Sequence, residues 1–321
     1  MRSLLLAIAP LLAILPILPT LAASPALAQE PPAPGVVPAE PAADARAWTK
    51  SQNNRVGLEV DFWSARTELT FFDTTIGINY LGLPITPVAQ IELIDKIYLD
   101  VELPLGLGFL SVDSSEPDAG GGDDDGGGGF LLGNPTLGAH YADSYNEQIA
   151  FFFGGSVSIP TIHGIDSNDN DDEDRVAALA AVAPTRAAYD LHRFVPEAIP
   201  IRARGGAEIR ILPWLYYRGD LAPVMYIPTG GQDVEFLIEQ SNEIEARTPT
   251  GLGGGLRLQE VFTLTEGDDI QTALEPFVSY EPAPAGVYAR LGLLMALDEE
   301  LGFAFDQGKV LTARLAGGYK F

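Results

Sequence analysis

LTARLAGGYKF, residues 311–321, is the stretch whose reading decides the fold. Leu311, Ala313, Leu315, Gly317, Tyr319 and Phe321 fall on one face of an extended strand. Thr312, Arg314, Ala316, Gly318 and Lys320 fall on the other. Side chains of a strand alternate between its two faces, so this pattern describes a strand that is greasy on one side and polar on the other. Its length matches the roughly 10 residues of a tilted strand that crosses a bilayer. An edge strand of a soluble sheet would share the alternation, so the upstream sequence has to decide.

The same alternation recurs upstream. Segment 287–297 sets Val287, Leu291, Leu293 and Leu297 against Tyr288, Arg290 and Gly292, and 271–280 sets Leu274, Val278 and Tyr280 against Glu275, Phe277 and Ser279. Segment 252–264 places Leu252, Leu256, Leu258, Phe262 and Leu264 outward, with Arg257, Gln259 and Thr263 inward; Glu260 breaks that face. Segments 234–246, 214–227, 199–211, 149–159, 131–141 and 89–103 read likewise, and only Asp95 intrudes on the last. Two weaker strands, 56–64 and 70–81, precede them. The expectation is an all-β, antiparallel, up-and-down transmembrane barrel of about 12 strands, with about 10 as the alternative if the first pair fails. A soluble sandwich also alternates, but it would not repeat charge on one face while sparing the other.

Connection lengths support this count. Periplasmic turns are expected at 82–88, 143–147, 212–213, 248–250 and 283–285, and the long outer loops at 104–129 and 160–198. Short turns on one side and long loops on the other are what a membrane barrel shows. Residues 176–194 (VAALAAVAPTRAAYDLHRF) read as a short helix over or within the barrel mouth.

The N-terminus predicts export. Arg2 precedes the apolar run 4–21, and Ala26-Leu27-Ala28 offers a small-x-small cleavage site, giving a signal peptide over 1–28. A Pro/Ala-rich periplasmic leader is expected over 29–50 and the barrel over 51–321. Pro10, Pro16 and Pro19 argue against the run serving as an uncleaved anchor. Beyond it no apolar run reaches the roughly 20 residues of a spanning helix, so a membrane role requires a closed barrel.

Composition excludes several chemistries. The chain has 321 residues, a net charge of −25 and no cysteine, so thiolate chemistry and disulfides are out. Its acidity disfavours nucleic acid as a partner. His140, His163 and His192 stand near no nucleophile motif, and no enzyme is expected. In the acidic loop DSNDNDDEDR (166–175), Asp166, Asn168, Asn170 and Asp172 alternate as calcium ligands do. The sixth position lacks glycine and the twelfth is Ala177 instead of glutamate. Weak calcium binding there is therefore the lesser expectation, a solvated loop the default, and no other cofactor is implied.

The inward faces gather Arg202, Arg204, Arg210, Arg218, Arg257, Arg290 and Arg314 with Glu92, Asp100, Glu102, Glu208, Asp220, Glu235, Glu239, Glu243 and Glu275. These are the candidate pore-lining residues. Acidic and basic strands alternate, so cross-strand pairing is expected. Twelve strands lie between the filled interior of about eight and the open channel of sixteen or more. The expected function is a narrow porin-like channel passing small solutes through a charged lumen. The alternative is a non-conducting structural or surface-interaction barrel acting through its acidic extracellular loops.

The segment GNPTLGAHY (133–141) and the ending ARLAGGYKF (313–321) resemble the transporter-like outer-membrane barrels that include the phenol-degradation and fatty-acid-transport groups. The resemblance implies residence in the outer membrane of a double-membraned bacterium, among lipid and lipopolysaccharide. It also implies that Tyr319 and Phe321 act as the signal for the barrel-insertion machinery. The chain departs from the fatty-acid transporters in lacking their hatch domain, and the 29–47 leader is too small for a plug domain. No particular substrate follows.

Overall fold

The computed structural model describes residues 48–71, 74–114, 126–162, 172–265, 270–282, 285–298 and 310–321. The export segment 1–28 and most of the leader lie outside them. Fourteen strands follow in chain order: β1 (Arg55–Phe71), β2 (Thr74–Ile94), β3 (Ile97–Glu102), β4 (Leu105–Ser114), β5 (Gly126–Leu132), β6 (Thr136–Ser144) and β7 (Ile149–Ser158). After an insert come β8 (Ala198–Leu212), β9 (Leu215–Pro228), β10 (Glu235–Arg247), β11 (Leu252–Thr263), β12 (Ile270–Tyr280), β13 (Gly286–Ala296) and β14 (Leu311–Lys320).

All but β4 and β5 form a closed antiparallel barrel of twelve strands, because β14 pairs with β1 and β1 with β2. At the seam Val60 opposes Leu315 on the outer face and Asp61 opposes Arg314 on the inner one. β4 and β5 stand beyond the ring as an upward extension of its wall. β4 follows β3 along β2 in one register, with Glu102 opposite Val88 and Leu105 opposite Ile85, interrupted at Pro104. Likewise β5 and β6 are parted by residues 133–135.

The reading of the first strands needs correction. Residues 82–88 are no turn but the middle of β2, and the true turn is at 95–96, where Lys96 takes a φ of 67°. Gly82 and Pro84 look like turn formers. Pro84, lacking an N–H, instead interrupts the β1–β2 ladder, which skips from Val60–Ile85 to Trp63–Gly82. The stretch 89–103 is thus two strands, and Asp95 intrudes because it is in the turn. The outer loop 104–129 is in part the β4–β5 hairpin. Phe262, placed outward by alternation, is only 5% exposed.

Alternation does the rest. Leu58, Phe62, Phe153, Val287, Leu291 and Leu315 are exposed on the outer surface, while their neighbours in sequence point inward. Tyr145, Trp214, Tyr280, Tyr319 and Phe321 are exposed at the short-turn end. Inside, apolar packing occurs in patches, with Tyr98, Ala142 and Phe152 forming one near the short turns and others near the opposite rim. Of the latter, one joins Trp63, Leu294, Ala296 and Val310, and another joins Tyr189, Val224, Tyr226, Leu237 and Val261.

The insert between β7 and β8 supplies helix α1 (Glu173–Val182). Glu173 and Asp174 complement the positive end of its dipole, and Pro184 stops it after Ala183. Ala178, Ala181 and Val182 are fully buried. Ala178 and Val182 pack with Leu131, Ile162 and Phe194. The helix backbone lies so close to the wall that a Cβ on Gly108 would overlap Ala178, and one on Gly82 would overlap Trp63 and Ala181. The indole N–H of Trp63 donates to the Ala181 carbonyl.

Candidate functional site

Strand register builds the lumen wall. Glu208 on β8 lies opposite Arg218 on β9, which lies opposite Glu243 on β10. Glu243 faces Arg257 on β11, and Arg257 faces Glu275 on β12. One row of alternating sign therefore runs across five adjacent strands, each member a direct cross-strand neighbour of the next. Distances confirm contact: Arg218–Glu208 is 3.2 Å, Arg257–Glu243 2.5 Å and Arg257–Glu275 3.5 Å. Arg290 reaches from β13 to Glu243 (2.6 Å) and Glu275 (3.1 Å), and Arg314 from β14 to Glu275 (2.7 Å) and Asp61 (3.2 Å).

The other sequence-predicted residues spread around this row. Arg202 pairs with Glu239 at 2.7 Å, and Arg204 with Asp220 at 3.3 Å. Glu102 accepts from Arg193 at 2.8 Å, and Asp100 meets His140 at 2.5 Å. Arg210 stands 5.8 Å over the Trp48 ring, at the rim. Glu92 accepts from the Lys96 backbone N–H at the turn, and Glu235 is exposed near the long-loop end of β10. These last three sit apart from the central row.

Two segments enter this wall from opposite ends. From the short-turn end come residues 48–54. The Lys50 ammonium donates to Glu243 at 2.5 Å, and the Lys50 backbone N–H to Glu208 at 3.0 Å. The Ser51 hydroxyl donates to Glu208, the Gln90 amide to the Asn53 carbonyl, and the Tyr98 hydroxyl to the Gln52 carbonyl. Trp48 stacks on Tyr216 with ring centroids 6.0 Å apart.

From the other end comes the insert past α1. Arg186 donates to Asp61 (2.6 Å), Glu59 (2.7 Å) and Asp190 (2.7 Å). Arg193 donates to Glu59 at 2.8 Å, and the Tyr189 hydroxyl to Asp220 at 3.1 Å. Burial by itself would raise the Asp190 carboxyl, but Arg193, Arg202 and Arg186 hold it well below the ordinary carboxylate range. Burial also pushes the Tyr189 phenol well up. Four of the five non-glycine residues with positive φ among the described residues lie here, at Ala187, Ala188, Asp190 and Glu197.

Sequence reasoning missed Glu59 and Asp61, because β1 looked short and irregular. It missed Arg186, Asp190 and Arg193 as lumen groups because they sit in what counts as an outer loop. The signal was the sequence TRAAYDLHR (185–193), too charged for a helix buried in apolar surroundings and too apolar for a solvated loop.

Between the two segments lies a cavity of about 300 Å³, touched by Lys50 and Ser51 from one side and by Arg186, Tyr189 and Arg193 from the other. His140 lines it without forming a nucleophile–base contact. Its Nε2 meets the Ser51 carbonyl at 2.9 Å, while the Ser51 hydroxyl is committed to Glu208. Asp190, His192 and Glu239 bring one ligand atom each within 4.8 Å of one another. Arg202 already reaches both of those carboxylates, at 3.6 and 2.7 Å, so guanidinium supplies the positive charge there. Of the residues read as calcium ligands, Asp166, Asn168 and Asn170 lie outside the described residues, and Asp172 pairs with Arg175 at 3.0 Å.

No known family's sequence profile matches the chain, and no curated protein does. Among solved structures it is similar to an outer membrane channel from Pseudomonas putida F1, with 13% identity, 91% of this chain and 100% of that one covered, and a TM-score of 0.48. It is also similar to the NanC porin (6% identity, 82% and 100% covered, TM-score 0.43). A third is the CymD monoaromatic hydrocarbon channel (8% identity, 89% and 94% covered, TM-score 0.36). At such values nothing about cargo is carried over, and the barrel rests on its own closed ladder.

Proposed function

We propose that the chain is an outer-membrane channel for small polar solutes, shut at rest by residues 48–54 and by the insert that follows α1. The observation that carries this reading is the nature of the contacts that hold the two segments in the lumen. They are largely ion pairs and hydrogen bonds, which water can replace when a segment withdraws. The apolar outer belt and the aromatic residues at the short-turn end suit lipid and its interface. Under this reading the 1–28 segment exports the chain, Tyr319 and Phe321 present it to the insertion machinery, and lipopolysaccharide surrounds its outer leaflet. The candidate pore-lining side chains then form the solute's path.

Single-channel recording in planar bilayers tests it. The full chain should give small, brief openings, and a variant lacking 172–195 larger and longer ones. Silence of both at all voltages would overturn the channel. It would favour the second reading, a non-conducting barrel, which has one observation behind it: Glu275 alone engages three arginines, as a structural filling would.

A further inference from the structure

We infer that the cavity between the two segments is a binding site for a small organic anion bearing carboxylate or phosphate groups. This rests on the channel reading for the ligand's route of entry, but not for its recognition. The charged side chains that line the cavity comprise ten Arg or Lys against six Asp or Glu. Yet the chain as a whole carries −25, so a cationic surface is no by-product of composition.

The imbalance has a structural cause. Glu239, Glu243 and Glu275 are at most 3% exposed and do not line the cavity. They lie against the wall, and the longer arginines from neighbouring strands reach over them. Each guanidinium offers five N–H donors in a planar fork, so one with a single carboxylate partner keeps donors to spare.

Arg204 shows this most clearly. Its ion-pair partner is Asp220, at 3.3 Å, whose carboxylate also accepts from Tyr189 and lies 3.9 Å from Arg218. Arg204 lines the cavity with its side chain 39% exposed, whereas Arg202, at 9%, is taken up by Glu239 and Asp190. Arg204 and Arg218 both stand over the Phe152 ring, at 5.3 and 5.1 Å, which fixes their spacing. The terminal N–H groups that Arg204 does not give to Asp220 stay open to an anion, which would add charge-assisted hydrogen bonds. The volume sits at the small end of ligand sites, room for a dicarboxylate or a sugar acid.

Titration calorimetry of the full chain in detergent, at low salt, tests the site with succinate as probe and putrescine and sucrose as comparators. Succinate should give a saturable signal that the other two lack. Arg204→Gln should weaken it about tenfold, and Arg204→Lys should recover part of the loss. Heat-dependent gel migration checks that each variant is folded. Because closed segments would bar entry, binding is also read by equilibrium dialysis on chain refolded into detergent with each probe present. No saturable succinate signal in either preparation, or equal signals from all three probes, overturns the site. Succinate binding without conductance would sink the channel reading and leave this one standing. Conductance without succinate binding would do the reverse.

Discussion

Glu275 is where three guanidiniums converge: Arg314 at 2.7 Å, Arg290 at 3.1 Å and Arg257 at 3.5 Å. Neutralising it leaves positive charge gathered without its counter-ion. Arg257 and Arg290 keep Glu243, and Arg314 keeps Asp61. The cost of Glu275→Gln should therefore fall below that of a fully orphaned charge, at about 2 kcal/mol. It is read as a lower urea midpoint for loss of the compact gel form. Asp190 answers a different question, that of acidity. Its arginine neighbours hold its folded-state carboxyl below the ordinary value. It therefore contributes stability above about pH 4, the unfolded carboxylate range, and loses it as pH falls through its own lower value. The hydrogen-exchange protection factors of residues 183–195 should be unchanged from pH 8 to about pH 5 on this account, and should fall only in stronger acid. Asp190→Asn should lower them at neutral pH and weaken that acid dependence, leaving the part that Glu59 and Glu102 carry through Arg186 and Arg193.

At the scale of elements, α1 is held by what the wall lacks. Gly108→Leu inserts a side chain where the Ala178 backbone lies, so the helix has to leave while β4 keeps its ladder to β2. Limited proteolysis should then cut within 172–195 while the barrel core stays resistant. The opposite change is available nearby, since Ala188 is held at a φ of 60°. Ala188→Gly should relieve about 1 kcal/mol of backbone strain and shorten channel openings. Elements were legible wherever alternation dominated, as from β8 to β14, despite the breach at Glu260 on β11. The reading faltered at β2 because Gly82, Pro84 and Pro87 carry turn chemistry into a strand. Residues 56–64 and 70–81 looked like fragments because neither was followed through to the real turns. The β4–β5 hairpin escaped because β5 opens with four glycines, which give no alternation to count.

For the whole molecule, the charged face against the apolar face was enough to read a closed ring of twelve strands. The cross-strand charge row was also legible in outline, since acidic and basic strands alternate along β8 to β12. The two segments that fill the lumen were not. Their contacts join residues far apart in sequence, such as Lys50 with Glu243 and Arg186 with Asp61, and no local pattern encodes such meetings. The outer belt predicts that the protein needs detergent and migrates differently before and after boiling. A Phe321 deletion should slow assembly into membranes without unfolding barrels already formed, as followed by the rate of conversion to the compact gel form.

The seam between β1 and β14 has one more consequence. Each of these strands offers a full row of backbone donors and acceptors, and each finds its complement only in the other. A nascent chain stalled before β14 would hold eleven ring strands with two naked margins, one at either side of an open sheet. Synthesis of the ring and its burial in lipid are thereby forced apart in time, and the interval between them is when this chain is most exposed to sticking to its own kind.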